Sequence, residues 1–147
     1  MDAPAENRRI DYENGFYLGP VGADGETEEG YGMFVWKTGE VYVGDFRHGV
    51  RTGHGTFTWS DGAEYEGDFL DGNRSGRGRL RWPSGDAYEG DFAGGVRTGQ
   101  GIMRWASGEH YEGNFRDGQM DGDGTLFDAD GTVRYAGHWV SGLPVHE

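Results

Sequence analysis

Apolar and polar residues alternate along most of this chain, and glycine punctuates the alternation at fixed distances. Counting from Tyr65, glycine stands at plus two, seven, eleven and thirteen (Gly67, Gly72, Gly76, Gly78). Phe69 stands at plus four, Leu80 at plus fifteen, Trp82 at plus seventeen and Gly85 at plus twenty. The same template begins at Tyr42, Tyr88 and Tyr111, each 23 residues from the next. A fixed period of this length marks a repeat array. Spacing by two puts Tyr65, Gly67 and Phe69 on one face of a strand and Glu66 and Asp68 on the other. Gly76, Gly78, Leu80 and Trp82 share one face of a second strand, opposite Arg77, Arg79 and Arg81. LDGNRS between the two runs reads as the connection of an antiparallel hairpin. Glycines beside large rings on one face predict that each ring lies flat on neighbouring backbone.

The expected fold class is therefore all-β, an elongated single-layer antiparallel solenoid of stacked β-hairpins. About twelve short strands are expected, with no helix longer than two turns and an ordered length of about 55 Å. A polar tail covers 1–7 and the array 8–142. Within it lie a half repeat (8–15) turning at Asn14-Gly15, a degenerate repeat (16–39), and repeats at 40–62, 63–85, 86–108 and 109–131. A terminal partial repeat (132–142) and a tail (143–147) end the chain. In the last full copy Asp128 replaces the tryptophan of the others (Trp59, Trp82, Trp105) and Phe127 has the wrong parity, which predicts a bulge.

Composition narrows the class. Apolar residues are 34%, glycine is 30 of 147 and the net charge is −13, figures that alone would suit a disordered chain. The 21 aromatic residues, most of them in register, argue for order instead. The absence of cysteine excludes disulfides and Cys-based metal sites or nucleophiles. The acidic excess opposes nucleic acid and anionic membranes through long-range repulsion. MDAPAENRRI has no apolar segment of the kind a secretory signal needs, and no run approaches a membrane span, so a cytoplasmic location is expected.

Candidate chemistry follows the period. The rings Tyr42, Phe46, Trp59, Tyr65, Phe69, Trp82, Tyr88, Phe92, Trp105, Tyr111 and Phe115 share one face. A single-layer sheet cannot cover both its faces, so this one is the candidate partner-binding groove. On the other face Glu66, Glu89 and Glu112 at plus one and Asp45, Asp68 and Asp91 at plus three oppose Arg77, Arg79, Arg81 and Arg104 as solvated cross-strand pairs. Arg51, Arg74 and Arg97, all at plus nine, read as a ladder in the hairpin loops, an edge able to receive an acidic peptide or lipid headgroups. The histidines His48, His54, His110, His138 and His146 do not cluster at metal-ligand spacings. DGDGTLFDADG fails as a calcium loop, with Leu126 where glycine is needed and Thr132 where the bidentate glutamate belongs. No phosphate-binding or nucleophile motif occurs, so no catalytic residue, metal or cofactor is expected.

YVGDFRHGVRTGHG, YEGDFLDGNRSGRG, YEGDFAGGVRTGQG and YEGNFRDGQMDGDG together resemble the MORN (membrane occupation and recognition nexus) repeat. That resemblance implies a grooved β array acting as a non-catalytic scaffold for a partner-protein peptide or helix, in cytoskeletal, ciliary or membrane-proximal assemblies. The alternative it implies is phosphoinositide binding at a membrane, which the net charge disfavours.

Overall fold

A computed structural model describes residues 7–145 of the chain, in two compact units that divide after Asn73. The first unit holds β1 (Asn7–Tyr12), β2 (Gly15–Pro20), β3 (Gly30–Trp36), β4 (Val41–Arg47), β5 (Val50–Thr58) and β6 (Glu64–Leu70). The second holds β7 (Asn73–Arg81), β8 (Ala87–Ala93), β9 (Val96–Arg104), β10 (His110–Arg116), β11 (Gln119–Phe127), β12 (Val133–Val140) and β13 (Leu143–Pro144). The thirteen strands follow one another in sequence order as consecutive antiparallel hairpins, and no helix occurs among the described residues.

The hairpin connections are shorter than LDGNRS suggests. Two residues suffice, Asp71-Gly72 in that copy, with φ of 50° and 86°. Positive φ at both positions gives the turn whose twist matches that of the flanking strands, and glycine takes the second position without penalty. His48-Gly49, Gly94-Gly95, Asp117-Gly118 and Ser141-Gly142 repeat it. Longer turns join one copy to the next. There the Trp82 N–H donates to Asp86 O at 2.9 Å and the Gly85 N–H returns to Trp82 O at 3.0 Å.

The copies beginning at Tyr42, Tyr88 and Tyr111 also carry a bulge after the plus-two glycine. Gly90 pairs with Gly101 but Asp91 pairs with Thr98, leaving two extra residues on β9. Gly99 enters the bulge at φ 58°, and the Asp91 carboxylate accepts the Gln100 N–H at 2.9 Å. Asp45 accepts the His54 N–H in the same way at 3.0 Å. The plus-three aspartates thus satisfy backbone at the bulge and do not serve only as partners for arginine.

The ends differ from expectation. Asn7, placed in the N-terminal tail, opens β1, while residues 1–6 of that tail lie outside the described residues. The first turn falls at Glu13-Asn14, one residue before the expected Asn14-Gly15, because Tyr12 pairs directly with Gly15. Leu143–Pro144, placed in the C-terminal tail, forms β13 against Trp139 and Val140. His146 and Glu147 lie outside the described residues. The register does slip near the C-terminus, between Leu126 and Phe127 opposite β12.

Candidate interaction groove

The plus-zero tyrosines organise the aromatic face. Tyr17, Tyr42, Tyr65, Tyr88 and Tyr111 are at most 1% exposed. The rings of Tyr17, Tyr42, Tyr88 and Tyr111 lie on paired glycines: a Cβ on Gly101 would stand 2.5 Å from Tyr88 Cε2, and a Cβ on Gly90 would stand 2.5 Å from Gly101 Cα. The hydroxyl then reaches the carbonyl at plus three. Tyr42 donates to Asp45 O at 2.7 Å, Tyr65 to Asp68 O at 2.7 Å, Tyr88 to Asp91 O at 2.9 Å and Tyr111 to Asn114 O at 2.8 Å. These carbonyls sit at the bulge, where the ladder is interrupted, which gives tyrosine a role phenylalanine could not fill. Burial pushes the hydroxyl pKa of Tyr88 and of Tyr111 up to about 12.

The phenylalanines lock the tyrosines edge-on. Tyr42 meets Phe46 at 5.0 Å and Phe69 at 5.1 Å, both nearly perpendicular, and Tyr88 meets Phe92 and Phe115 at 5.1 and 5.0 Å. Edge-to-face pairs of this kind contribute about 0.5–1.5 kcal/mol each beyond area burial. Of the eleven rings expected to line a groove, the four tyrosines and four phenylalanines are therefore buried, with Phe46 the most open at 7%. They build the floor. Trp59, Trp82 and Trp105 are only half-buried and present the accessible aromatic surface.

The arginines sit elsewhere than on a loop edge. Arg51 pairs with Phe46 and Arg97 with Phe92, so both emerge on the aromatic face. The Arg51 guanidinium stands over Trp36, Phe57 and Phe69 at 5.3–5.9 Å from the ring centres. Arg97 stands over Trp82, Tyr88 and Phe115 at 5.5–5.8 Å. Arg74 lies 5.5 Å from the Phe92 ring and donates to Gly95 O at 2.6 Å, across to the next hairpin turn. Desolvation by the rings pulls the Arg51 and Arg97 pKa values down. The cause of the misplacement is the short turn: only two residues connect the strands, so plus nine already lies in the second strand, and the two extra residues of the bulge preserve parity, leaving it on the same face as plus eleven and thirteen. That parity was already present in the sequence.

In the first unit Glu28, Phe34, Trp36, Phe46 and Arg51 border a cleft of about 220 Å³. In the second unit Trp82, Trp105, Arg97, Met103, Phe115 and Met120 border a groove of about 550 Å³. Trp105 and Met120 also border its neighbour of about 720 Å³, with Leu126, Tyr135, Trp139, Glu109 and Arg134. Met120 occupies plus nine in its copy, where the three before it carry arginine. Asp128, in place of tryptophan, pairs with Arg134 at 2.5 Å, and Arg134 also pairs with Glu109 at 2.6 Å.

The opposite face carries the expected exposed pairs, Arg77–Asp91 at 3.4 Å and Arg79–Glu89 at 3.8 Å. They join β7 to β8 across the turn between copies. Among the described residues no cluster of side chains is suited to a metal, and no helix is long and apolar enough to cross a membrane.

No curated protein matches the chain in sequence. Among solved structures it is similar to the SAS-4 (dCPAP) TCP domain of Drosophila melanogaster in complex with a proline rich motif of Ana2 (dSTIL). The two are 15% identical over 95% of this chain and 96% of that one, with a TM-score of 0.40. The MORN repeat matches at residues 28–41, 42–64, 65–87, 88–110 and 111–133. With five consecutive repeats matched over most of its length, the chain belongs to the MORN-repeat family.

Proposed function

We propose that this chain is a non-catalytic scaffold that holds a peptide or helix segment of a partner protein along its aromatic face, in a cytoplasmic assembly at the cytoskeleton or a membrane. MORN repeats are modules for protein and membrane interaction, and the family is typically non-catalytic. The observation that carries the reading is the groove of the second unit, where half-buried Trp82 and Trp105 stand over an apolar floor. Large, stiff, partly polar rings at such a surface are the side chains that dominate binding energy. Lipid binding is the weaker reading. The arginines that would meet headgroups are drawn into the ring layer, and the chain carries a charge of −13. Strong binding to anionic vesicles at physiological salt is not expected; co-sedimentation abolished by changing Arg51, Arg74 and Arg97 to Ser would reverse the choice.

The test uses a partner recovered from native lysate and then titrated as a purified protein. Trp82→Ala, shown to be folded by circular dichroism, should weaken binding by about 2 kcal/mol or more. Glu66→Lys and Glu89→Lys, on the opposite face, should leave it nearly intact. Loss in the glutamate variants with retention in Trp82→Ala would assign binding to the charged face and end the groove reading.

A further inference from the structure

We infer that the groove of the second unit selects an extended partner segment that carries a carboxylate, received by Arg97, and a large apolar side chain about three residues away, received beside Met120 and Leu126. The inference rests on the groove reading above and adds the chemistry of the occupant.

Among the described residues Arg97 has no counter-ion. Its guanidinium faces Trp82, Tyr88 and Phe115, and its remaining polar contact is Nη1 to Met103 Sδ at 3.6 Å. No carboxylate among the described residues pairs with it. Ring faces offset the charge but accept no conventional hydrogen bond, so most of the five N–H donors remain for a ligand or water. A planar fork held in place against rings is suited to a bidentate carboxylate.

The carboxylates bordering the same groove are already engaged. Asp86 accepts the Ala106 N–H at 2.8 Å. Glu109 pairs with Arg134 at 2.6 Å and accepts the Ser107 hydroxyl at 3.0 Å. Asp86 keeps its charge, so the lining as a whole is balanced; what stands open beside it is the guanidinium fork of Arg97, whose N–H donors a carboxylate can take up. A basic segment would meet Arg97 as a repulsive centre, whereas an acidic one completes it.

The spacing comes from the period. Met120 takes the place of Arg97 one copy further on, two strands away, or about 9–10 Å. An extended chain rises about 3.3 Å per residue, so three residues span that distance. There Met120, Leu126, Trp105, Tyr135 and Trp139 surround the space of about 720 Å³, enough for an aromatic or branched aliphatic side chain.

A display library of short random peptides, selected on the full chain, tests this directly. The expected outcome is enrichment of Asp or Glu three residues from Trp, Phe, Leu or Met. The best synthetic peptide should lose about tenfold in affinity when its acid becomes Gln or Asn, with the protein unchanged so that folding is not in question. Arg97→Gln should lose the same factor for the acidic peptide and nothing more for the amide peptide. Enrichment of Lys or Arg, or indifference of the unaltered protein to the amide peptide, would overturn the inference. So would Arg97-dependent binding to vesicles containing a phosphoinositide in the absence of any selected peptide. If the selected peptides ignore Trp82→Ala, the groove reading itself fails; if they need Trp82 but ignore charge, only this inference does.

Discussion

The copies beginning at Tyr88 and Tyr111 use one backbone for two different surfaces. Both have the two-residue hairpin turn, the bulge, the tyrosine bonded to the plus-three carbonyl and the perpendicular Tyr–Phe contact, at 5.1 Å in one and 5.3 Å in the other. Even the turn into the next copy is the same, with the Trp105 N–H donating to Glu109 O at 2.9 Å and the Asp128 N–H to Thr132 O at 2.8 Å. What changes is the lining. Arg97 becomes Met120, Trp105 becomes Asp128, and Glu109 becomes Thr132. The positions that stay serve the backbone's own requirements: a ring needs a glycine beneath it, and an interrupted ladder needs the tyrosine hydroxyl. Arg97, Trp105 and Glu109, among the positions that change, border the groove, where a different side chain alters what can bind without altering the sheet.

The largest effect expected from this division is at the glycine floor. A methyl on Gly101 meets the Tyr88 ring at 2.5 Å, and one on Gly124 is closer still to the Tyr111 hydroxyl. Gly101→Ala and Gly124→Ala should therefore each cost about 3 kcal/mol or more in urea unfolding, since neither ring nor backbone can give way. Gly131→Ala, at φ +89° with nothing within 4 Å, should cost only about 1–2 kcal/mol from backbone conformation. Equal losses at all three would show that close packing is not what the floor glycines provide.

Next in size is the response to alkali. Burial holds the Tyr88 and Tyr111 hydroxyls protonated up to about 12, above their ordinary value of 10.0. The folded state keeps these protons longer than the unfolded chain does. Their contribution is complete below pH 10 and is lost as pH rises through about 12. Unfolding midpoints measured across that window should fall, and Tyr88→Phe and Tyr111→Phe should each make the fall shallower by a similar amount. A flat profile would mean that the rings do not bury their hydroxyls.

The smallest effect belongs to the outer face. Arg79, 3.8 Å from Glu89 with both side chains about half or more exposed, should lose under about 0.5 kcal/mol as Arg79→Gln. A loss comparable to that of a floor glycine would overturn the assignment of this face as solvated.

Much of this was legible in the chain itself. The 23-residue period, the hairpins, the common face of Tyr, Gly, Phe and Trp and the slip near Phe127 all follow from residue spacing, because strand parity is a local property of the backbone. The ring-on-glycine packing was legible too, since only glycine leaves room there. Arg97 could have been placed by counting parity through plus nine; the apparent length of the loop concealed it. Other features depend on residues distant in sequence. The tyrosine-to-carbonyl bonds need the bulge, whose extra residues are counted only once Gly90 is seen opposite Gly101. Which rings are buried depends on the next copy: Phe115 closes over Tyr88 from 27 residues away. The counter-ions of Glu109 and Asp128 come from Arg134, distant from Glu109 in sequence, while Arg97 has none among the described residues. Spacing thus determined the framework, because each copy specifies its own strands. Only the tertiary structure decided the exposure and charge of the groove, because these are set by what neighbouring copies cover.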